Sequence, residues 1–321
     1  MTNPGPGTPA GAAPRLGGVF APLLTPFDAA LAPDPARLVR HARWLLANGC
    51  AGLAPFGTTS EANSLSVEER ERLLDALLDG GVDPAKLVPG TGCCALPDTV
   101  RLTRHAVSRG CAGVLMLPPF YYKGVSDDGL FRSFAETIER VGDARLRVHL
   151  YHIPPVAQVP IGTRLIERLL AAYPGTVAGI KDSSGDWDNT RAVLDAFARD
   201  GFQVFVGSEK FLLQNLRHGG VGCITATGNV NPGAIDRLYR GWQGERAEAL
   251  QEEVNAVRAV VERAPVIPSL KELVAHHAGD PGWRTVRPPL AGLAPAQARA
   301  LLDGLAALGF GMPGVGGGGR G

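Results

Sequence analysis

The sequence predicts an α/β protein, a (β/α)8 TIM barrel with helices appended at its C-terminal end. Three observations carry the prediction. From residue 17 onward, short apolar runs alternate with stretches of 3.6-residue periodicity, and the alternation occurs eight times. The apolar runs are continuous instead of alternating with polar residues, which marks strands covered on both faces, as parallel strands are. Turn residues, above all glycine, punctuate each change of period. Eight strand–helix units close naturally into a barrel; a doubly wound open sheet is the second fold the pattern allows.

The expected elements run in order. Residues 19–25 form the first strand, and residues 35–48 the first helix, closed by Gly49. Residues 52–56 are the second strand. Ser66 caps the second helix, with Glu68 and Glu69 in its first turn. Residues 87–90, 113–117, 147–153, 177–180, 202–206 and 222–226 are the remaining strands. Their helices span 98–108, 126–141, 163–173, 187–199 and 209–218, and a long helical stretch runs from 232 to about 263. Residues 1–16 read as a disordered N-terminal arm and 309–321 as a Gly-rich tail of the same kind. Residues 17–308 then form a single domain that includes the C-terminal helices at about 232–308.

Composition narrows the function. With 321 residues, 45% of them hydrophobic, the chain can bury a sizeable core. A formal net charge of +1, without basic runs, gives no field that would attract nucleic acid or an anionic membrane. No apolar stretch is long enough to span a bilayer, and the N-terminal residues lack the basic start and apolar core of a secretory signal. The five cysteines are odd in number and include the adjacent pair Cys93 and Cys94, so a disulfide framework is not expected and a reducing, cytoplasmic setting is. The seven histidines form no metal-ligand spacing, and no metal is expected.

Of the five lysines, only Lys181 directly follows an apolar strand and precedes a hydroxyl-rich turn, Asp182-Ser183-Ser184-Gly185-Asp186. Burial disfavours the charged form of an amine, and a neutral amine attacks a ketone to form a Schiff base. The plainer alternative is a lysine paired with Asp182. In a barrel, active sites lie at the C-terminal ends of the strands. There the sequence gathers Gly57-Thr58-Thr59-Ser60-Glu61, Tyr121 with Tyr122, Tyr151 and Lys181. The Gly57 to Glu61 turn can bind a small carboxylate through hydroxyls and N–H groups, or simply cap a helix. Tyr151 can relay protons with Thr58 and Tyr121 as neighbours, or sit in the core with its hydroxyl satisfied. His152 alternates with Tyr151 along the strand and should face the other way. Gly90 to Ala95 matches a dinucleotide fingerprint, but no carboxylate follows at the required distance, so nucleotide binding is rejected. Cys93 and Cys94 read as buried packing residues, or as residues near the mouth of the site.

Taken together, residues 57–61, 119–122, 151–154, 179–186, 207–209 and 222–232 closely resemble the dihydrodipicolinate synthase / N-acetylneuraminate lyase family of pyruvate-type class I aldolases. The motifs recur in family order over nearly the whole folded chain. The resemblance implies the barrel fold, a homotetramer built as a dimer of dimers, and no cofactor beyond a covalent lysine imine with a small 2-oxo acid. It implies that Lys181 is the Schiff-base lysine, Tyr151 the proton shuttle, and Thr58 the link to Tyr121 of a neighbouring subunit. Thr59, with Thr58, would hold the 2-oxo acid carboxylate. Ser183, Ser208 and Glu209 would meet the distal substrate, and the Ile224 carbonyl would face the pyruvyl carbon. One departure matters: Val156 stands where the lysine-pathway synthase carries a carboxylate-binding arginine, and valine cannot replace a bidentate guanidinium. The pattern is closest to 4-hydroxy-2-oxoglutarate aldolases and 2-keto-3-deoxy-sugar-acid lyases. A dehydratase acting through the same imine, the synthase itself and a non-catalytic ligand-binding member are the alternatives.

Overall fold

A computed structural model describes residues 15–316. Seven parallel strands form one sheet: β1 (Gly18–Ala21), β2 (Gly52–Leu53), β3 (Val114–Met116), β4 (Val148–His152), β5 (Val177–Asp182), β6 (Gln203–Val206) and β7 (Gly222–Ile224). Their order is β2-β1-β7-β6-β5-β4-β3. The two edges are joined by residues 87–90, which bridge Leu53 to Leu87 and Gly90 to Leu115 in parallel. The Val88 amide donates to the Leu53 carbonyl at 2.9 Å, and the Leu115 amide to the Pro89 carbonyl at 2.9 Å. The ring is therefore closed by eight staves. The eighth is irregular because Pro89 has no N–H to give a continuous ladder.

Burial separates the barrel into two layers. Phe20, Ala54, Val88, Leu115, Tyr151, Phe205, Val221 and Ile224 fill its interior, with Phe20 and Phe205 edge to face at 5.5 Å. The larger apolar layer lies between the strands and the helices. The helices begin where the sequence offers caps. Ser66 and Glu69 form a reciprocal capping box, and Asp186 accepts from the Asp188 amide at 2.9 Å to start the helix Trp187–Phe197.

Three expectations are corrected. The stretch beyond 232 is two helices, Pro232–Gly241 and Ala247–Val261. Gly241 and Gly244 fall at the break, where glycine's poor helix propensity ends one axis and frees the chain to start another. The long helices expected after the sixth and seventh strands each contain a 3-10 turn, Ala198–Asp200 and Glu209–Phe211. Residues 309–316 are not apart from the domain: Met312 is buried, Phe310 and Val315 pack on the core, and Trp44 Nε1 donates to the Pro313 carbonyl at 2.9 Å. The arm at 1–14 and the tail at 317–321 lie outside the described residues. Within the described residues, no helix is long and apolar enough to cross a membrane.

Candidate active site

Parallel pairing of β4 and β5 sets Tyr151 opposite Lys181 and His152 opposite Asp182. Because successive strand residues alternate in direction, the first pair shares one face and the second pair the other. Tyr151 belongs to the barrel interior, and Lys181 Nζ lies 4.2 Å from the centroid of its ring. Both side chains are buried. His152 points away: its Nδ1 accepts from the Ile161 amide at 2.9 Å, and burial lowers its pKa against the opposing pull of Asp182.

Asp182 is not the partner of Lys181. Its carboxylate accepts from the Ser184 amide at 2.8 Å, from Asn189 Nδ2 at 2.9 Å and from Thr190 Oγ1 at 2.6 Å. It organises the turn that follows the strand and leaves the amine without a salt bridge among the described residues. Lys271 gives the contrast. It is also fully buried, but it pairs with Glu61 and donates to the Thr285 carbonyl at 2.8 Å. Of the two buried lysines, one has a carboxylate and the other faces a tyrosine in a cavity.

That Glu61–Lys271 pair builds the neighbouring wall. Phe56 and Glu61 have φ of 62° and 56°, a left-handed backbone uncommon for such residues, and they bracket Gly57-Thr58-Thr59-Ser60. The turn is pinned by Glu61, which also accepts from the Arg287 amide at 3.0 Å, and by Thr25 Oγ1, which donates to the Ser60 carbonyl at 2.7 Å. So held, Thr58 Oγ1 lies 3.2 Å from the Tyr151 hydroxyl. Among the described residues, the Thr58 and Thr59 amides donate to no protein acceptor, while both residues line the cavity. Beneath the turn, the buried Arg70 donates to the Gly90 carbonyl at 2.9 Å and to Cys93 Sγ at 3.1 Å. Cys93 is thus a half-buried neighbour of a guanidinium. Its companion Cys94 is exposed, contrary to the packing role read from sequence.

The cavity, about 400 Å³, brings together Lys181, Tyr151, Thr58, Thr59, Ser183 and Ser208. Gly207 makes this possible, since a Cβ there would overlap Ser183 Oγ. Ile224 lies in the barrel interior beneath. Two expected residues are placed elsewhere in this chain. Tyr121 is 73% exposed, its ring edge to face with Tyr122 at 5.3 Å. Glu209 is buried, and its carboxylate accepts from the Thr225 and Thr227 hydroxyls and from Arg258 at 2.6 Å. A carboxylate so surrounded is occupied by the protein, and its expected contact with substrate is corrected to support of Arg258. Arg258, Lys210 and Glu262 also line the cavity. Nothing local in the sequence singles out Arg258 and Glu262, because a charged helix face ordinarily reads as solvated.

A parallel barrel whose C-terminal mouth holds a buried lysine, without a salt bridge among the described residues, beside a tyrosine has the frame of a class I aldolase. The model of the dihydrodipicolinate synthetase family matches residues 15–307, and the chain belongs to that family. It is a lyase of the class I aldolase type. It is 35% identical, over 79% of its length and 84% of the relative's, to an uncharacterized DapA-like lyase of Chloroflexus aurantiacus. A 4-hydroxy-tetrahydrodipicolinate synthase of Rhizobium meliloti is 29% identical over 88% of this chain and 95% of its own. The dihydrodipicolinate synthase structure from Agrobacterium tumefaciens superposes with a TM-score of 0.84 at 32% identity, covering 91% of this chain and 99% of that one. YagE, an E. coli prophage protein of the same family in complex with pyruvate, does so with a TM-score of 0.84 at 25% identity, covering 92% and 99%.

Proposed function

We propose that the protein cleaves a 2-oxo acid, such as 4-hydroxy-2-oxoglutarate or a 2-keto-3-deoxy sugar acid, to pyruvate and an aldehyde through an imine on Lys181. The observation that carries this reading is the placement of a buried amine, with no carboxylate partner among the described residues, beside a tyrosine that is itself 3.2 Å from Thr58. The pyruvate bound by YagE fits the same chemistry. Lys181 Nζ adds to the C2 ketone, and water leaves to give an iminium. Loss of the 4-hydroxyl proton breaks the C3–C4 bond; the aldehyde departs and the electron pair remains as an enamine. Protonation at C3 and hydrolysis of the imine return pyruvate and the free amine. Tyr151 and Thr58 supply and remove the protons. The free amides of Thr58 and Thr59 hold the C1 carboxylate. Turnover of a panel of 2-oxo acids with product analysis tests the reading. Pyruvate and an aldehyde are expected; a product of unchanged carbon count and one water fewer would show a dehydratase, in which the imine promotes loss of water after C3 deprotonation.

The synthase reaction, which uses pyruvate and aspartate semialdehyde, is expected to give little or no cyclic product. Val156 lines the cavity mouth, 60% exposed, and offers no donor at the position where the synthase carries its carboxylate-binding arginine. Robust cyclic product, followed by absorbance or mass spectrometry, would contradict this.

Tyr121 completes its role only across an interface. Tyr121, Tyr122 and Val125 leave three large apolar side chains exposed on one loop, 73%, 72% and 40%, as a subunit contact would require. In the proposed assembly, a homotetramer made of dimers, each Tyr121 hydroxyl joins Thr58 and Tyr151 of its partner. Tyr121→Phe should slow turnover by about 10²–10⁴-fold, the worth of a placed acid–base group, with folding nearly unchanged. Mixing Tyr121→Phe subunits with Lys181→Ala subunits should restore part of the activity, because the hybrid site combines Lys181 of one chain with Tyr121 of the other. Hybrids that form and recover nothing would place Tyr121 outside the relay.

A further inference from the structure

The helix Ala247–Val261, which follows the helix Pro232–Gly241, delivers Arg258 into the cavity that holds Lys181. The guanidinium is fixed along one edge. Nη1 donates to Glu209 at 2.6 Å and to Thr225 Oγ1 at 3.0 Å, and Nε donates to Glu262 at 2.8 Å. Glu209 is in turn held by two threonine hydroxyls, and Gln251 Nε2 donates to its backbone carbonyl at 2.9 Å. Burial works against the Arg258 cation, but Glu209 and Glu262 outweigh it and hold its pKa above the ordinary value. A guanidinium carries five N–H donors. The two on Nη2 meet no described acceptor.

Lys210 stands on the same wall, with Nζ 3.1 Å from the second oxygen of Glu262. One carboxylate, Glu262, therefore bridges both cations, and it is the only side-chain acceptor on that wall shared between them. Its pKa is lowered: burial opposes ionisation, and Arg258 and Lys210 more than compensate. The two cations balance the two carboxylates in charge, and the Nη2 donors are what is left unmatched among the described residues. Such a wall suits a group that only accepts, and the bridging of two cations by one carboxylate shows the geometry such a group would adopt. A hydroxyl terminus would leave part of the donor set unmatched.

We infer that Arg258 and Lys210 form a distal subsite that selects 2-oxo acids ending in an oxyanion, a carboxylate or a phosphate. Glu209 is the positioning residue that aims Arg258, and Glu262 competes with the incoming oxyanion. The inference rests on the imine reading of the cavity. It also gives a use to the unmatched donors on the wall of a cavity that Val156 lines as well.

The test compares three substrates: 4-hydroxy-2-oxoglutarate, 2-keto-3-deoxygluconate, and the 6-phosphate of the latter. All three share the C1 carboxylate and differ at the far end, so one of the two compounds with an anionic terminus should exceed the one with a neutral, hydroxyl terminus in kcat/KM, and which one it is identifies the oxyanion. Lys210→Met and Arg258→Lys should each lower that anionic-to-neutral ratio by roughly ten- to a hundredfold, the effect of losing a charge-assisted hydrogen bond. Arg258→Lys keeps a cation for the buried Glu209, so folding is preserved. Glu262→Gln should shift the ratio the other way, by raising kcat/KM for the anionic substrate. A neutral substrate preferred by the native enzyme, or variants that change all substrates equally, would overturn the subsite. If pyruvate still forms a borohydride-stable adduct in that case, the imine reading stands and only the subsite falls; without an adduct, both fall.

Discussion

Turnover should fall by about 10⁴–10⁶-fold when Lys181 is replaced by alanine, the scale on which removal of a covalent catalyst acts. The physical reason is that no neighbour can substitute. Lys271 is engaged with Glu61, Lys123 donates to the Phe120 and Ala157 carbonyls, and Lys210 pairs with Glu262. Only Lys181 presents an amine to the cavity without a carboxylate bound to it. Arginine at 181 should be no better, since a guanidinium stays protonated and is not nucleophilic. Stability should change little in Lys181→Ala, because the variant removes a buried amine that has no ion-pair partner. Steady-state kinetics beside a thermal melt would separate the two effects. Appreciable turnover by a well-folded Lys181→Ala protein would mean that the imine forms elsewhere.

The second large effect concerns folding. Lys271→Met should destabilise the protein by about 3–5 kcal/mol, because it strands the Glu61 carboxylate in the interior without its cation. The same pair fixes the Thr58–Thr59 turn, whose Phe56 and Glu61 backbones are left-handed and depend on their surroundings. Folded Lys271→Met protein should therefore also show a raised KM for the 2-oxo acid. The double variant Glu61→Gln with Lys271→Met removes both charges and should recover much of the stability, since replacing a whole buried pair by neutral groups is often tolerated. Chemical denaturation of the single and double variants measures this directly. A single variant as stable as the native protein would show that the pair does not hold the turn.

The parts of this account that sequence conveyed are those written in short-range chemistry. Continuous apolar strands, glycine punctuation and the Ser66 cap are local signals, and all eight staves of the barrel followed from them. That Lys181, Tyr151 and Thr58 come together was legible because a barrel sends strand ends to one mouth, so position along each strand determines location in space. Contacts made by the C-terminal helices were not legible. Nothing local distinguishes Arg258, aimed into the cavity, from other arginines on charged helix faces, and nothing local tells Lys271 that it will meet Glu61. Glu209 was misread for the same reason: its position pointed to the mouth, but Thr225, Thr227 and Arg258 close over it. Pro89 made one stave irregular without removing it. The glycines after residue 308 concealed Phe310, Met312 and Val315, three apolar side chains at intervals short enough to dock the segment against the core.

The central claim is that this barrel forms a covalent imine between Lys181 and a 2-oxo acid. Reduction with borohydride in the presence of pyruvate, followed by peptide mass spectrometry, tests it most directly. Loss of activity and a single reduced pyruvyl adduct, on the peptide that contains Lys181, are expected. An adduct on Lys123, Lys210 or Lys271, or full activity after reduction with no adduct at all, would contradict it.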